Sequence, residues 1–367
     1  IRITTNSDYT GGETQSITYG GVENLRYFGC KARGDTQNNG GIAQGKIEPH
    51  IEIFNGVTTA DSTPATWTRG AMGVRGVFGG GYNTSAVATN RIDYITIPTA
   101  GDATTFGNLT TARYGLSACS NKTRGIWAGG STGSNSTIID YVTIATLGDA
   151  TTFGNISNDT SKTYGVMCLS SETRGIIAGG ESGYSNRIDY VTIATTGNST
   201  TFGATLTSAG KQGSTTSDGT RGVFIGGEGR TPTMDYITID TTGTCTDFGD
   251  LRVTLYTGGQ GLVTDGTIGV FSTGASYSNN IDKITIQTTA NSTNFGTMIT
   301  GRSGVISSST ETRAIFAGGK IGAGSGNYTN IIEFIEIATP ATCTDFGDLT
   351  EARQVGGGLS NTGADRT

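Results

Sequence analysis

Few residues in this chain could carry out acid–base or metal chemistry, and its single histidine sets the limit. His50 is the only imidazole among 367 residues. A catalytic Ser-His-Asp or Cys-His arrangement could therefore use only His50 as its base, and this residue lies in an insertion that does not follow the repeat. A zinc or copper site built from several imidazoles is excluded. We expect His50 to be a surface loop residue, and we expect the protein to use no metal and no cofactor.

The cysteines do not form a metal or redox motif. None shows CxxC spacing, and their odd number leaves at least one thiol unpaired. Cys245 and Cys343 both precede Asp-Phe-Gly, so they occupy the same position of two repeats, which disfavours a disulfide between them. We expect unpaired, buried thiols that pack as small apolar side chains. The five cysteines are Cys30, Cys119, Cys168, Cys245 and Cys343.

Carboxylates are the remaining candidates for catalysis, but most of them recur with the period of the chain. The recurring acidic residues are Asp93, Asp140, Asp189, Asp235, Asp282 and Glu333. An arginine recurs in the same way, so we predict that these side chains support the repeat by bonding to one another or to backbone turns. The residues predicted to have this structural role include Arg124, Asp140, Arg174, Asp189, Arg221 and Asp235. Asp35 and Glu48 do not recur with the repeat, and they are the only candidates we find for the carboxylate pair of a glycosidase.

Tyrosines in polar loops are the best candidates for ligand binding. Four of them follow a glycine pair or its equivalent and are surrounded by Asn, Ser and Thr. Tyrosine beside amides and hydroxyls offers a flat apolar surface together with hydrogen-bonding groups, which suits a sugar or a protein partner. The alternative is that each tyrosine only packs its own loop onto the repeat. The candidate residues are Tyr82, Asn83, Tyr184, Asn186, Tyr277, Asn279, Tyr328 and Asn330.

These residues belong to a repeat that runs through the chain. A phenylalanine followed by glycine recurs at Phe106, Phe153, Phe202, Phe248, Phe295 and Phe346, with a spacing of 46 to 51 residues. One period contains four short strand-like runs, for example residues 114–120, 124–128, 139–145 and 151–156. Sixty glycines separate these runs, and we find no convincing apolar stripe of helical spacing. A period near 47 residues is typical of β-propeller blades.

The sequence therefore predicts an all-β propeller of four-stranded antiparallel blades, with residues 1–367 forming one domain. Residues 1–74 read as a degenerate first blade with an insertion at 34–50, and residues 75–367 contain regular repeats of about 47–51 residues that end in a partial repeat. Counting glycine-pair strands predicts seven blades, and a composite closing blade would make eight. Partial repeats at both ends indicate strand exchange between the termini or a fragment of a longer protein.

The strand order resembles the kelch repeat. The shared features are a strand ending in Gly129-Gly130, a tyrosine-bearing strand at Tyr141, the aromatic Phe153, and an Ala-Arg step such as Ala112-Arg113. The sequence departs from that family in having Phe where its tryptophan is usual, with Trp67 as a candidate survivor. The resemblance implies a propeller, but the copper oxidase activity of some kelch-like propellers needs histidine ligands that are absent from these repeats.

The net charge and the composition of the repeats favour some functions over others. A formal charge of −6 without a basic cluster disfavours nucleic acid, and no apolar run could span a bilayer. The repeats resemble those of virion structural proteins of marine phages, including cyanophages. The resemblance implies a non-enzymatic tail, fibre or capsid-associated component, on the virion or extracellular, that binds other virion subunits and host-surface glycans and forms homo-oligomers within an assembly. The alternatives are a secreted or cell-surface lectin-like module and a carbohydrate-active enzyme.

Overall fold

The computed structural model describes residues 74–361, except 158–162, 182, 254, 256–262, 274 and 325. The predicted degenerate first blade, apart from its last residue, lies outside the described residues, as does the insertion at 34–50. The same holds for Cys30, Asp35, Glu48, His50 and Trp67. That the propeller domain includes residues 1–73 stays a prediction. No helix among the described residues is both long and apolar enough to cross a membrane.

The described residues form seven antiparallel sheets, six of which are blades that we number 1 to 6. Blade 1 contains β1 (Arg75–Gly79), β3 (Arg91–Thr96) and β4 (Thr104–Asn108), and β2 (Tyr82–Asn83), between β1 and β3 in the chain, forms a separate two-stranded sheet with residues 353–354. Blade 2 contains β5 (Ser117–Ser120), β6 (Arg124–Ala128), β7 (Ile138–Thr143) and β8 (Thr151–Asn155). Blade 3 contains β9 (Met167–Ser170), β10 (Arg174–Ala178), β11 (Ser185–Thr192) and β12 (Thr200–Gly210).

The remaining blades repeat the same order. Blade 4 contains β13 (Ser214–Ser217), β14 (Arg221–Ile225), β15 (Thr233–Thr238) and β16 (Thr246–Asp250). Blade 5 contains β17 (Ile268–Ser272), a short 3-10 turn (Ala275–Tyr277), β18 (Asn280–Thr285) and β19 (Thr293–Thr297), and Thr264 bridges Gly269 at its inner edge. Blade 6 contains β20 (Ile306–Ser309), β21 (Arg313–Ala317), β22 (Ile331–Glu336) and β23 (Thr344–Asp348). The chain continues with β24 (Arg353–Gln354) and β25 (Gly357–Ser360).

The ring closes by strand exchange. The C-terminal strand β25 pairs antiparallel with β1, with Gly76 opposite Ser360 and Gly79 opposite Gly357, and so supplies the inner strand of blade 1. The expected exchange between chain ends therefore takes place within residues 74–361. The prediction of seven blades, and its alternative of eight, is wrong: the described strands close a ring of six. The count of seven included a glycine-pair motif before residue 74, which lies outside the described residues.

Burial along the strands follows from packing between blades. In blade 2, the strands span nearly the predicted residues, and the inner strand β5 is buried at every position. Inner strands are rich in Ser, Ala, Cys and Gly because six of them meet near one axis, where large side chains do not fit. Farther out, one apolar cluster joins Phe106 of blade 1 to Val142 and Ile144 of blade 2, and similar clusters fill the other junctions.

The repeated arginine connects five of the six blades to the next blade, and in blade 5 Ile268 takes its place. The Nη1 atom of Arg124 donates to the carbonyl of Ile193 at 2.8 Å, and its guanidinium lies 4.4 Å from the ring centre of Tyr141. That tyrosine in turn meets Phe153 edge to face. Arg75, Arg174, Arg221 and Arg313 make the same pair of contacts, with hydrogen bonds of 2.8 to 3.3 Å. These arginines therefore hold the frame together.

The repeated carboxylates are buried, and each lies beside an arginine of opposite charge. This partner is a second arginine, distinct from the repeated arginine that connects neighbouring blades. Asp140 lies at a β-bulge between β7 and β8, is fully buried, and approaches Arg113 at 3.0 Å. Asp235 approaches Arg230 at 2.9 Å, and Asp189 lies 3.7 Å from Arg187. The other such pairs are Asp93 with Arg353, Asp282 with Arg252, and Glu333 with Arg302. The geometry thus assigns all six carboxylates a structural contact.

Candidate functional site

Side-chain hydroxyl groups form a belt of hydrogen bonds between neighbouring inner strands at one end of the blades. The last residue of an inner strand donates its side-chain hydroxyl to the backbone carbonyl of the equivalent residue in the preceding blade. Ser170 donates to the carbonyl of Ser120 at 2.8 Å, and Ser217 donates to the carbonyl of Ser170 at 2.7 Å. Ser120 closes this belt across the chain ends by donating to the carbonyl of Ser360 at 2.6 Å.

Backbone hydrogen bonds tighten the opposite end of the axis. In the five blades where it is described, the residue at the entrance to the inner strand adopts a positive φ, and in four of them its amide donates to the equivalent carbonyl of the preceding blade. The amide of Gly165 donates to Gly115 at 2.7 Å, and the amide of Gln212 donates to Gly165 at 2.7 Å. Gln212 and Val355 take φ values of 55° and 47°, which cost a side chain energy that glycine avoids. The positive φ is therefore kept at these two positions, although a residue other than glycine occupies them.

Around this ring stand pairs of residues that we call the crown. In each pair, the residue just before the positive-φ position lies beside the residue that follows the glycine pair. The glycines permit this approach: in blade 2, a Cβ atom on Gly130 would lie 2.8 Å from the carbonyl oxygen of Tyr114. The crown pairs are Tyr82 with Gln354, Tyr114 with Ser131, Tyr164 with Glu181, Lys211 with Glu228, and Ser303 with Lys320.

The side chains of the crown differ from blade to blade, although the backbone repeats. Among the described blades, the position after the glycine pair is occupied by Tyr82, Ser131, Glu181, Glu228 and Lys320. The frame residues, by contrast, recur with almost no change. Since the repeat does not require any particular crown side chain, these positions are available for ligand recognition.

Four tyrosines on this face form a curved series that we call the tyrosine arc. The rings of Tyr328 and Tyr82 lie 6.2 Å apart, those of Tyr82 and Tyr114 4.6 Å apart, and those of Tyr114 and Tyr164 5.5 Å apart. The rings are inclined to one another by 57° to 79°. All four are half-buried, so each is held in place while part of its surface meets solvent.

A charged group, the lysine cluster, continues the arc into blade 4. The ammonium group of Lys211 lies 2.7 Å from a carboxylate oxygen of Glu181 and 3.2 Å from one of Glu228. It also lies 5.5 Å from the ring centre of Tyr164 and 5.9 Å from that of Tyr184. The Tyr184 hydroxyl donates to Glu228 at 2.9 Å. Lys211 is the buried centre of the cluster, and the two carboxylates are its solvent-facing part.

Ionisation within the cluster follows from these contacts. Burial would lower the pKa of Lys211, but its bonds to Glu181 and Glu228 raise it above the ordinary value. Burial, helped by the nearby charge of Tyr114, raises the pKa of Tyr164 to about 12. The hydrogen bond to Glu228 raises the pKa of Tyr184. At neutral pH the cluster therefore combines a protonated lysine with neutral tyrosines.

The structure brings together three of the four predicted tyrosines. Tyr82 and Tyr328 belong to the tyrosine arc, and Tyr184 belongs to the lysine cluster. Tyr277 is half-buried in the equivalent loop of blade 5, and no ring contact joins it to the arc. That these tyrosines bind a ligand stays a prediction.

The predicted asparagines are placed differently. The amide oxygen of Asn83 accepts the backbone amides of Ser85 and Val87 and so shapes its own loop, and its amide nitrogen donates to Glu351 at 2.9 Å. Asn279 donates weakly to the carbonyl of Met298 at 3.4 Å. Asn186 is exposed, and Asn330 is half-buried.

Sequence reasoning missed the crown residues that precede the inner strands. Tyr114 was assigned to a strand, and Tyr164 and Lys211 were not singled out. Each immediately precedes the positive-φ residue, at Gly115, Gly165 and Gln212 respectively. Aligning the repeats at this position and looking for residues that differ would have found them.

The described residues offer no evident metal centre. Among them, no group of three or more His, Cys, Asp and Glu side chains is arranged to hold a metal ion. Cys119, Cys168 and Cys343 are buried without disulfides, as expected, whereas Cys245 is only half-buried. Burial is the leading cause that raises the pKa of Cys343 to about 12, so this thiol stays protonated at neutral pH.

Comparison with known proteins gives a fold and little more. No known family profile matches the chain, and no curated protein matches it. Among solved structures, it is similar to one described as a novel fungal alcohol oxidase with catalytic diversity among the AA5 family, in complex with copper. The TM-score is 0.50 at 12% identity, and the match covers 77% of this chain and 64% of the oxidase. At this identity the likeness supports the propeller fold alone.

This comparison corrects the leading functional prediction. The match is to an oxidase and not to a component of a virus particle. The interpretation as a virion tail, fibre or capsid-associated protein is therefore wrong. Copper does not fit the residues in view, because the described part of the chain contains no histidine and no suitable cluster. We derive no reaction through copper.

Proposed function

We propose that this propeller is a lectin-like carbohydrate-binding protein and that the tyrosine arc is its binding face, where sugars bind without chemical change. The observation that carries the proposal is that four aromatic rings from successive blades meet on a face where the described crown side chains differ from blade to blade. Tyr114 lies at the centre of this arc, 4.6 Å from Tyr82 and 5.5 Å from Tyr164.

The physical basis is preorganised stacking. The carbon–hydrogen face of a sugar ring is apolar and packs against an aromatic ring, while its hydroxyls need hydrogen-bond partners. Rings that already pack against one another lose little side-chain entropy when a ligand binds. Glu181 and Glu228, at the end of the arc, supply acceptors for hydroxyls. The face therefore offers both kinds of contact that a sugar requires.

The test is a glycan array probed with the wild-type protein and with a triple variant, Tyr82→Leu, Tyr114→Leu and Tyr164→Leu. Leucine keeps apolar packing and removes the aromatic face. Tyr277→Leu is the matched control, because Tyr277 is also half-buried on an equivalent loop but lies outside the arc. We expect glycan binding by the wild type and the control and loss of binding by a folded triple variant. Absence of binding by the wild type would reject the proposal.

A carbohydrate-active enzyme is the second candidate, favoured by the similarity to the alcohol oxidase. It would need a catalytic set that includes residues outside the described part of the chain. The test is to incubate the protein, with and without added copper, with sugars that carry a primary alcohol and to measure aldehyde formation. Copper-dependent turnover would support this candidate, and binding without turnover would support the first.

Two finer features complete the proposal. We propose that the blades are kelch-like, and the glycine pair followed by a tyrosine-bearing strand, as at Gly129-Gly130 and Tyr141, supports this. An extracellular location suits a sugar-binding protein, and it stays part of the proposal. Mass spectrometry of culture medium and cell fractions from the source organism would test the location.

A further inference from the structure

We infer that the ligand is a coiled, uncharged polysaccharide chain, bound through several consecutive sugar units along the tyrosine arc and not through a single terminal sugar. This inference rests on the proposed function and specifies its ligand. Three observations carry it: the length of the arc, the rotation of its rings, and the charge at its end.

The length of the arc indicates more than one sugar subsite. Consecutive ring centres lie 4.6 to 6.2 Å apart, comparable with the length that one pyranose unit adds to a chain. The series runs from Tyr328 of blade 6 through Tyr82 and Tyr114 to Tyr164 at the entrance to blade 3. A single sugar can stack on one of these rings and leaves the others unoccupied. Affinity should therefore grow as the chain lengthens.

The angles between neighbouring tyrosine rings determine which shape of polysaccharide chain can stack on them. Each ring comes from the next blade, and six blades around one axis turn by about 60° per step. The planes of neighbouring rings differ by 79°, 57° and 69° along the arc. A flat ribbon such as a β-1,4-linked glucan presents nearly coplanar sugar faces and cannot stack on successive rings. A coiled α-1,4-linked glucan turns from unit to unit and can follow them.

The charge beside the arc selects an uncharged chain. The carboxylates of Glu181 and Glu228 are 43% and 41% exposed, whereas Lys211 between them is only 9% exposed. Glu351 lies near the Asn83 end of the arc with Arg91 beside it, and Lys320 lies beside Tyr328 at that same end. The charged groups around the arc therefore balance and give no net positive charge to attract an anionic chain. Uronic acids and sulfated sugars would gain no favourable contact with Glu181 and Glu228, while neutral hydroxyls can donate to these carboxylates.

The experiment is titration calorimetry of the intact protein with glucose, maltose, maltohexaose, cellohexaose and hexagalacturonic acid. We expect maltohexaose to bind at least about tenfold more tightly than maltose and than cellohexaose, and we expect no binding of hexagalacturonic acid. Tyr328→Leu, at one end of the arc, should weaken maltohexaose about threefold to tenfold and leave maltose unchanged. Tyr277→Leu is the matched control and should change neither.

The outcomes separate this inference from the proposed function. Equal affinity for maltose and maltohexaose, tighter binding of cellohexaose, or tighter binding of hexagalacturonic acid would overturn the inference while leaving sugar binding intact. Absence of binding to every sugar on the array and in this series would overturn both. A Glu181→Gln, Glu228→Gln variant that remains folded should tolerate hexagalacturonic acid better than the wild type, and an unchanged preference would contradict the role of charge.

Discussion

The buried ion pair at the ring closure gives the sharpest prediction about the frame. Arg353 comes from the C-terminal segment, and its Nη2 atom lies 3.0 Å from Asp93 of blade 1, with both side chains fully buried. The same nitrogen donates to the carbonyl of Phe78 at 3.1 Å. Burial is the main effect on the pKa of Arg353 and lowers it, while Asp93 acts in the opposite direction. Arg353→Met leaves Asp93 buried without its cation.

The expected cost is about 3–5 kcal/mol, because an uncompensated buried charge costs far more than the pair contributes as a whole. This is a large part of the roughly 5–15 kcal/mol that keeps a typical domain folded. Arg91→Met is the matched control: Arg91 lies 3.9 Å from Glu351, and their side chains are 42% and 28% exposed. Solvent screening limits the contribution of such a pair to about 1 kcal/mol or less.

The assay is urea unfolding followed by circular dichroism, with all variants measured at the same pH and ionic strength. Adding Asp93→Asn to Arg353→Met removes the buried charge and should recover part of the lost stability. If Arg353→Met unfolds at nearly the same urea concentration as Arg91→Met, the pair is not buried as described. The assignment of the repeated carboxylates to the frame would then be refuted.

Two further predictions concern the axis and the crown. Ser170→Ala removes the hydroxyl that donates to the carbonyl of Ser120 and should lower the free energy of unfolding by about 1–3 kcal/mol. Ser134→Ala is the control, because Ser134 is exposed and its loss should change this free energy little. Equal effects of the two substitutions in urea unfolding would refute the belt of hydroxyl hydrogen bonds between inner strands. The raised pKa of Tyr164 means that its contribution to stability is complete below pH 10 and is lost as the pH rises towards about 12, because the unfolded chain releases this proton first. Tyr164→Phe should therefore show a shallower loss of stability over that range in urea unfolding at several pH values, and an unchanged slope would contradict the burial of this hydroxyl.

The sequence predicted the four strands of a blade, but it did not predict the number of blades in the ring. Regular spacing of the Phe-Gly motif and the glycine pair identifies four strands per repeat, because these patterns depend on contacts within one blade. The blade number depends on which strand pairs with β1, and the partner is Gly357–Ser360, nearly the whole chain away. Local patterns contain no information about that pairing, so counting copies gave the wrong number.

The binding face was predictable only in part for a similar reason. Tyr82 and Tyr328 stand out in the sequence because polar residues surround them, but the ring of Tyr82 meets Tyr114 only when blades 1 and 2 are side by side. Tyr114 precedes a strand and looks like part of it. Asn83 looked like a ligand group, yet its amide is engaged by its own loop and Glu351. Composition marks a polar loop, whereas the fold decides which side chains remain available.

The central claim is that residues outside the repeat rule bind sugar on the tyrosine arc. The most direct measurement is hydroxyl-radical footprinting with mass spectrometry, with and without saturating glycan from the array. We predict protection of Tyr82, Tyr114, Tyr164 and Tyr328, with no change at Tyr236, which packs between Arg221 and Phe248 in the frame. Protection confined to other residues, or no protection under conditions where the glycan is bound, would contradict the account.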